Sequence, residues 1–474
     1  MSTALYWVRR DLRLHDNPTL RAAADADRLL PVYCVDSTQY GQQAYGGSES
    51  FHFQKTGSHR TRFRRESVSG LRERLADRGS DLLVRQGDPA EQLADLASAV
   101  DADAVHCQRL PAPEERRQLD RVRGALDAPV ETHWTHTLHH VDDLPVPPAE
   151  IDDTFTAFRK QIEADSRVRE PVDTPDLPPL PEKSPDRGAV PTLADVGLEE
   201  PPTDDRAVLP FTGGESRALD RLDEYVWDRD RLREYKRSRN GLLGADFSSK
   251  LSPWLNEGCL SPRTVFETVE AYEAERVAND STYWLVFELR WRDFFQFQQC
   301  KHGGTLFTRE GIRDRTDIDW RTDETAFRRW ADGETGIPFV DAAMRELNAT
   351  GYQSNRARQN AASFLANDLR IDWRRGAAYF ETQLVDYDPG SNYGNWAYIA
   401  GVGNDSRNRS FDVLSQAERY DEHAEYVKTW CPELDPLPAE MAHQPWTMNE
   451  GLQATYGVEV GVDYPRPMLD PDRL

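Results

Sequence analysis

The chain has 474 residues, and because single hydrophobic cores stop growing at ~250–300 residues we expect more than one domain. Hydrophobic residues make up 38% of the chain, with 18 Phe, 17 Tyr and 12 Trp, which excludes a disordered protein. The five cysteines are scattered and form no CxxC pair, which argues against a disulfide framework or a thiolate metal cluster. The sequence contains no apolar run of ~18 residues and no signal-peptide pattern, so we expect a cytoplasmic protein without a membrane span.

The charge balance is strongly acidic. There are 58 basic and 82 acidic residues, a net charge of −24, and only seven of the basic residues are lysine. A carboxylate-rich, lysine-poor surface is typical of proteins from a very salty cytoplasm, where salt screens the self-repulsion. An ordinary acidic surface that aids solubility is the alternative, but the shortage of lysine favours a halophile. Because the net charge repels nucleic acid, any DNA site must be a local patch.

Strand and helix signals alternate over residues 1–133, which we predict as the first domain. The strand candidates are Ala4–Val8, Leu29–Val35, Asp81–Gln86 and Ala104–Cys107. The helix candidates between them are Ser58–Arg78, Ala90–Val100 and Pro113–Leu126. This alternation is typical of a Rossmann-like α/β domain, an open parallel sheet with helices on both faces. No GxGxxG follows the first strand, so the dinucleotide-binding fingerprint is absent there.

Residues 141–210 are rich in proline and acidic residues, and we predict a long interdomain linker over residues 134–210. One helix is expected within it, at Thr154–Glu163. From Glu215 onward the apolar spacing is almost wholly helical, so residues 211–474 are predicted to form an all-α domain.

Four histidines, at positions 133, 136, 139 and 140, lie where the first domain meets the linker. On a helix, His133, His136 and His140 would share one face, as metal ligands do. No carboxylate or cysteine completes a ligand set, however, and the segment enters a linker. We therefore predict no metal site.

Polar side chains are interleaved with helical apolar spacing between Gly336 and Asn404. The apolar positions at helical intervals are Phe339, Val340, Met344 and Leu347, followed by Phe364, Leu365 and Leu369. The polar side chains are Asn355, Arg356, Arg358, Asp386, Asp388, Asn392 and Asn395. A simple helical bundle does not place so many hydrogen-bonding groups beside its apolar faces, so we expect this segment to hold a large polar ligand.

Two further patterns indicate binding sites. Small hydroxyl residues in the segment 246–253 precede a plausible helix start at Pro253, an arrangement that can cradle an anion on backbone amides. Glu288, Trp291 and Arg292 are spaced i, i+3 and i+4, so they share one helix face. A carboxylate beside a flat aromatic suits an extruded base, whereas the alternative is a salt bridge beside a packed indole.

Long motifs in the chain resemble the photolyase/cryptochrome family, and its DASH branch best. They are ALYWVRRDLRLHDNPTL, GADFSSKLSPWLNEGCLSPR, LVFELRWRDFF, SNRARQNAASFLANDLRIDWRRGAAYFE, LVDYDPGSNYGNWAYIAGVGND and YVKTWCPEL. The resemblance covers nearly the whole chain in one order. It implies that the helical domain binds FAD.

The resemblance also implies which residues contact FAD. Arg358 would pair with Asp386 beside the flavin ring, and Asn392 would lie opposite flavin N5, where a neutral amide can bond either the oxidised or the protonated nitrogen. The implied set is Tyr235, Ser248, Ser249, Lys250, Leu251, Ser252, Glu288, Arg292, Asn355, Arg358, Asp386, Tyr387, Asp388 and Asn392.

An electron-transfer chain of three tryptophans is implied in the same way. Trp396 would lie near the flavin, Trp373 next, and Trp320 at the surface, each within its expected motif (NYGNW, RIDWR and DIDW). Asn392 and Glu288 complete the implied catalytic set. The alternative is that these tryptophans are ordinary core residues.

The residues implied to face a DNA lesion are Glu288, Trp291, Asn355, Arg356, Gln359 and Tyr398. In photolyases that act well on duplex DNA, a second tryptophan and a methionine usually wall the pocket, and here Tyr398 and Gln359 stand at those positions. Both stack less well, and extruding bases from a duplex costs a few kcal/mol. We therefore predict a preference for single-stranded DNA.

An antenna chromophore is also implied, because DASH proteins usually carry methenyltetrahydrofolate between their domains. Glu114 or Glu115 matches the carboxylate that holds it, and Lys301 lies in a plausible loop. A helix start enriched in glutamate is the alternative explanation, and a deazaflavin or no antenna stays open.

The function implied is blue-light-driven repair of cyclobutane pyrimidine dimers by a monomeric lyase. One alternative is a blue-light photoreceptor or regulator that binds DNA with little or no repair. A light-independent flavin oxidoreductase is less favoured, because the sequence lacks a nicotinamide-binding fingerprint.

Overall fold

A computed structural model describes residues 1–405 and 410–471. The strands are Thr3–Val8 (β1), Arg28–Val35 (β2), Gln42–Ala44 (β3), His52–Gln54 (β4), Leu83–Gln86 (β5), Ala104–Gln108 (β6) and Val130–His133 (β7). Helices in the first half of the chain are Pro18–Ala23 (α1), Ser58–Ala76 (α2), Pro89–Ala99 (α3), Pro113–Ala125 (α4), Phe155–Asp165 (α5), Glu215–Asp223 (α6) and Tyr235–Ser238 (α7).

The remaining helices build the C-terminal half. They are Ser252–Glu257 (α8), Pro262–Glu275 (α9), Asp280–His302 (α10), Glu324–Ala331 (α11), Pro338–Thr350 (α12), Asn355–Ser363 (α13), Trp373–Gln383 (α14), Pro389–Ile399 (α15), Val413–Tyr420 (α16), Glu425–Trp430 (α17), Ala439–His443 (α18) and Glu450–Tyr456 (α19). The predicted fold class, an α/β domain followed by an all-α domain, is confirmed. The domain boundaries at residues 133 and 210 stay predictions.

The N-terminal sheet is parallel, with strand order β5-β2-β1-β6-β7, and β3 and β4 form a separate hairpin. Alternate side chains of β1 enter two different cores. Tyr6 and Val8 pack with residues of the helical half, whereas Leu5 and Trp7 pack with α3 and α4. Burial on both faces is typical of a parallel sheet covered by helices.

A loop after β1 joins the sheet to the helical half. Arg13 Nη1 donates to the Gly258 carbonyl at 2.9 Å, and Arg263 forms an ion pair with Asp16. Gly258 ends α8 with φ +73°, and a Cβ there would lie 2.0 Å from the Arg10 carbonyl oxygen. Glycine is therefore required where α8 meets this loop.

Helix α10 is the long central element of the helical half. It begins with a capping box between Asn279 and Thr282 and ends at Gly303, with lysine and histidine in its last turn. Its buried side packs on α15, which bears Asn392 and Asn395 of the polar motif identified above. Within the described residues, no helix has the length and apolar character that crossing a bilayer requires.

Candidate active site between helices α8, α10, α13 and α15

A buried ion pair joins α13 to the turn that precedes α15. Arg358 Nη2 donates to Asp386 Oδ2 at 2.9 Å, and Ser252 Oγ donates to the same oxygen at 2.7 Å. Asn256 Nδ2 donates to the Asp386 carbonyl at 2.5 Å. Burial lowers the pKa of Arg358, but the Asp386 carboxylate outweighs burial and the net shift is upward. We call these four residues the polar wall.

Two acceptor atoms near the polar wall are available to a ligand. Asp386 Oδ1 is buried and has no hydrogen-bond partner among the residues that the structure describes. A buried acceptor without a donor costs about 1–3 kcal/mol. Asn392 Nδ2 donates to the Ala377 carbonyl at 2.9 Å, which uses one of its two N–H groups and leaves Asn392 Oδ1 as an acceptor. The site therefore offers a carboxylate oxygen and an amide oxygen to a donor.

Lys250 has a buried side chain in a strained loop. Its φ is +56°, a left-handed conformation that costs a non-glycine residue about 1 kcal/mol or more. Nζ donates to the Ala245 carbonyl at 3.1 Å and lies 3.2 Å from the centre of the Phe247 ring. Burial, and next the Arg221 charge, lower the pKa of Lys250 to about 6. No ion pair among the described residues includes Lys250, so this amine lacks the anion that would keep it charged.

Arg221, on α6, fixes the shape of the same loop. Its guanidinium donates to the carbonyls of Ala245 at 2.9 Å, Ser249 at 3.1 Å and Ser248 at 3.4 Å. These three hydrogen bonds to one guanidinium fix the orientation of the Ser248 and Ser249 backbone. Arg221 was not identified from the sequence, because no local pattern distinguishes this buried arginine from the other arginines on helices.

Asp388 caps α15 and is held from two directions. Its Oδ1 accepts from the Ser391 amide at 2.8 Å, and its Oδ2 accepts from Gln296 Nε2 at 2.8 Å and from Arg10 Nη2 at 3.3 Å. Burial raises the pKa of Asp388, but the Arg10 and Arg292 charges outweigh burial and the net shift is downward. Both oxygens already have protein partners, so the main role of Asp388 in this structure is to fix the start of α15. Gln296 and Arg10 were not identified from the sequence.

Three of the implied FAD contacts have mainly structural partners. Arg292 donates to the carbonyls of His136 and Leu255 and, at 3.2 Å, to Asn256 Oδ1. Tyr235 begins α7 and is 6% exposed. Leu251, 2% exposed, precedes the first turn of α8.

Tyr387 lies at the interdomain cleft, and its implied contact with FAD stays a prediction. Its ring lines the cleft between the sheet and the helical half, with the Arg60 guanidinium 4.5 Å from its centre.

The three tryptophans lie on connected elements. The Trp396 ring, on α15, packs closely against Gly376 of α14. A Cβ at Gly376 would lie only 2.2 Å from this ring. Trp373 begins α14, and its Nε1 donates to the Arg309 carbonyl at 3.1 Å. Arg309 in turn donates to the Trp320 carbonyl at 3.4 Å. The order Trp396, Trp373 and Trp320 therefore follows a path of contacting segments.

The expectation that Trp320 lies at the surface is corrected by its burial. It is only 6% exposed, and its Nε1 is buried without a hydrogen-bond partner among the described residues. A bridge between Arg321 and Ile371 draws the Trp320 segment against the chain that leads into α14.

The face of α10 implied to meet a DNA lesion carries a carboxylate and an indole. Arg239 Nη1 lies 2.6 Å from Glu288 Oε1, and burial raises the pKa of Glu288. The Trp291 ring stacks on Phe155 of the linker helix α5, with centroids 3.6 Å apart and an interplanar angle of 12°. One face of the indole is therefore covered by the protein, and the other face is the one that a base can use.

The other lesion candidates differ in exposure. Asn355 is exposed at the start of α13, and Gln359 is half-buried one turn later. Arg356 lies 4.4 Å from the Tyr420 ring centre and donates at 3.2 Å to Asn240 Oδ1. Tyr398 is 4% exposed, with its ring 5.6 Å from that of Phe295 and 6.4 Å from that of Trp291. Tyr398 thus packs edge-on against Trp291.

A cleft of about 640 Å³ lies between the sheet and the helical half, at the carboxyl ends of β1 and β2. Because β2 and β6 flank β1 on opposite sides, this is the topological switch point where α/β sheets bind ligands. Glu114 Oε2 lies 2.7 Å from Lys55 Nζ, and Glu115 Oε1 lies 3.1 Å from Arg10 Nη1. Both antenna candidates on α4 therefore reach the cleft.

Lys301 does not reach this cleft, and the expectation for it is corrected. Its Nζ donates to the Ile151 carbonyl at 2.7 Å and lies 2.8 Å from Asp153 Oδ1. Lys301 lies in the last turn of α10, and its side chain contacts the linker instead.

The linker histidines make separate contacts. His133 stacks on His106 with centroids 5.5 Å apart, and His139 Nδ1 lies 3.0 Å from Ser166 Oγ. Over residues 1–405 and 410–471, no group of three or more His, Cys, Asp or Glu side chains is placed to hold a metal ion.

Known proteins resemble this chain over its whole length. A family model described as DNA photolyase matches residues 4–182, and one described as the FAD binding domain of DNA photolyase matches residues 284–473. A cryptochrome DASH from Natronomonas pharaonis is 59% identical, covering 100% of this chain and 99% of that protein. The chain belongs to the photolyase/cryptochrome family, in its DASH branch. The halophilic source expected from the composition agrees with this relative.

Solved structures show the same fold. A Synechocystis cryptochrome has a TM-score of 0.94 at 43% identity, covering 99% of this chain and 97% of the other. A class III photolyase from Agrobacterium tumefaciens has a TM-score of 0.84 at 28% identity, covering 99% and 95%. The protein therefore has an FAD-dependent, photolyase-like function, and its family acts on DNA.

The residues of the site fit FAD. The buried Lys250 amine lacks an anion, which a diphosphate provides. The buried Asp386 Oδ1 lacks a donor, which a ribityl hydroxyl or flavin N–H provides. Asn392 Oδ1 would accept from a flavin N–H, while its amide nitrogen donates to the Ala377 carbonyl.

Proposed function

We propose that this protein repairs cyclobutane pyrimidine dimers under blue light and prefers single-stranded DNA. When bound, reduced FAD supplies the excited-state electron that splits the dimer. The chain holds FAD with Lys250, Ser252, Arg358, Asp386 and Asn392. It presents Glu288 and Trp291 to the lesion.

The two hydrogen bonds of the Asn256 side chain are the main support for this proposal. Asn256 accepts from Arg292 Nε at 3.2 Å and donates to the Asp386 carbonyl at 2.5 Å. Arg292 lies on the same helix face as Glu288 and Trp291. The lesion-facing side of α10 and the polar wall are therefore joined through a single buried amide. A flavin photoreceptor without repair does not require this coupling.

The charges on α10 suit an extruded dimer. Burial raises the pKa of Glu288 and so shifts this carboxyl towards its protonated form, whereas the Arg239 charge beside Oε1 opposes that shift. A protonated carboxyl donates to a pyrimidine carbonyl oxygen, which an ionised carboxylate cannot do. Glu288 would in this way stabilise negative charge on the lesion.

The preference for single strands follows from limited stacking. Phe155 covers one face of Trp291, and Tyr398 meets Trp291 at an interplanar angle of 77°. The pocket thus offers one full aromatic face, and base stacking contributes ~1–3 kcal/mol per face. Extruding bases from a duplex costs a few kcal/mol, whereas a single strand avoids most of that cost.

The test is repair by the FAD-loaded, chemically reduced protein of two oligonucleotides with one dimer each, one single-stranded and one duplex. We expect light-dependent loss of the dimer that is faster in the single strand, and no loss in the dark. Equal rates would contradict the strand preference. No repair of either oligonucleotide by fully loaded protein would instead favour the photoreceptor.

We also propose that the cleft of about 640 Å³ binds an antenna, methenyltetrahydrofolate being the first candidate. Glu114 and Glu115 reach the cleft, but each already faces a cation, Lys55 or Arg10. A folate must share these carboxylates. The absorption spectrum of chromophores extracted from purified protein tests this, and a deazaflavin spectrum would contradict it.

A further inference from the structure

Tyr393, on α15, links Trp373 to the interdomain cleft. The centres of the Trp373 and Tyr393 rings are 6.2 Å apart, with an interplanar angle of 73°. Tyr393 is only 2% exposed, yet it is part of the cleft lining. The Tyr393 ring therefore lies between the cleft and Trp373, the middle tryptophan of the proposed electron-transfer path.

The Tyr393 phenol faces a base. Its hydroxyl donates to Glu381 Oε2 at 2.8 Å, and Glu381 Oε1 lies 2.6 Å from Lys55 Nζ. Burial, and then the Glu381 charge, raise the pKa of Tyr393 well above its usual value, so the phenol stays protonated in the resting protein. The hydrogen bond thus has a phenol donor and a carboxylate acceptor.

We propose that Tyr393 is a redox-active residue that reduces oxidised Trp373, with Glu381 as its proton acceptor. This inference rests on the electron-transfer chain of the proposed function. One electron passes from the Tyr393 ring to the Trp373 radical cation. The phenolic O–H bond breaks, and the proton moves to Glu381 Oε2. The products are neutral Trp373, a neutral tyrosyl radical and a protonated Glu381.

The surrounding charges allow this proton transfer. Lys55 also faces Glu114 at 2.7 Å, so its ammonium keeps an anionic partner when Glu381 is neutralised. A phenol that releases its proton as it is oxidised is easier to oxidise than an indole, because no cation radical has to form. The phenol already donates to Glu381 Oε2 at 2.8 Å, so the proton acceptor is in place before Tyr393 is oxidised.

The cleft provides the route by which Tyr393 is restored. At about 640 Å³ it admits a small thiolate from solvent. The thiolate donates one electron to the tyrosyl radical, the proton returns from Glu381, and a thiyl radical leaves. External reductants would then reach the electron-transfer residues through the cleft.

Electron paramagnetic resonance tests the inference. FAD-loaded protein containing ring-deuterated tyrosine is frozen directly after a blue flash without added thiol. We expect the wild-type radical spectrum to narrow with deuteration, which identifies a tyrosyl radical. Tyr393→Phe should leave only a tryptophan radical, whereas Tyr33→Phe, in the same cleft lining, should keep the tyrosyl signal.

A second variant separates proton transfer from packing. Glu381→Gln keeps Tyr393 but removes the base, and we expect the tryptophan radical to decay about tenfold more slowly, with FAD content and melting temperature measured alongside. A tryptophan radical alone in the wild type, or unchanged decay in Glu381→Gln, would overturn this inference and leave the proposed function standing. Absence of any light-induced radical on the protein would instead contradict the electron-transfer chain itself.

Discussion

Arg358 Nη2 lies 2.9 Å from Asp386 Oδ2, and this buried contact joins α13 to the turn before α15. Among the described residues, nothing donates to Asp386 Oδ1, which can therefore accept from a ligand. The arginine neutralises the carboxylate, and Ser252 and Asn256 hold its position. An ionised Asp386 is therefore stable in a buried site, where an unpaired charge is strongly disfavoured.

Asp386→Asn should weaken FAD binding at least tenfold. Removing one partner leaves the Arg358 charge buried and unpaired, which costs about 3–5 kcal/mol in similar cases. Fluorescence titration of the apoprotein with FAD measures the affinity, and thermal melting reports on folding. Asp317→Asn is the control, because Asp317 is an exposed partner of Arg315 and such pairs contribute about 0–1 kcal/mol. Equal affinity in wild type and Asp386→Asn would refute the role of the polar wall.

Trp396→Phe and Trp373→Phe should each keep FAD bound but slow its photoreduction by an external thiol, because phenylalanine is hard to oxidise. Absorbance of the flavin during blue illumination follows the rate. Trp227→Phe is a matched control, because Trp227 packs on Tyr272 and Arg276 and is not one of the three electron-transfer tryptophans. Unchanged rates in both chain variants would remove the tryptophans from the mechanism.

Binding of FAD near neutral pH should take up about one proton through Lys250. The pKa of Lys250 is about 6 in the folded apoprotein, against ~10.4 in an unfolded chain. Between these values the unfolded chain holds a proton that the folded apoprotein lacks, so stability of the apoprotein rises with pH through this window. A diphosphate beside Nζ would restore the positive charge of Lys250. The FAD-bound protein would then hold the proton that the folded apoprotein lacks.

Calorimetric titration in two buffers of different ionisation enthalpy measures this proton uptake. Lys250→Met should abolish it, whereas Lys236→Met should keep it, because Lys236 is exposed and paired with Asp280. Proton uptake that persists in Lys250→Met would show that another group binds the proton.

Tyr398→Trp combined with Gln359→Met should narrow the difference between single-stranded and duplex repair, mainly by raising duplex repair. A larger aromatic surface and an apolar side chain repay more of the cost of extruding bases. Because Tyr398 is only 4% exposed, the larger ring also risks about 1–3 kcal/mol of overpacking, so melting temperatures must accompany the rates. A fully folded variant with an unchanged ratio would show that these two positions do not set the preference.

Local sequence patterns determined the fold class. The predicted strand Ala4–Val8 is observed as Thr3–Val8, and the predicted helix Ser58–Arg78 is observed as Ser58–Ala76. Apolar alternation and helical spacing are properties of neighbouring residues, so they can be read without knowledge of distant contacts. The polar motif around Asp386 and Asn392 was visible for the same reason, since so many hydrogen-bonding groups lie close together in the chain.

Contacts between distant residues were decided only by the tertiary structure. Ser252 and Asp386 are 134 positions apart, and Arg10 and Asp388 are 378 apart. No local pattern shows which of 58 basic residues faces a given carboxylate, so Arg10 was missed. Arg221 was missed because the carbonyls that it contacts lie 24 to 28 positions away. The same limit explains the misplaced Lys301. Residue types indicate what chemistry a segment can perform, but the packing of α8, α10, α13 and α15 determines which atoms remain free to perform it.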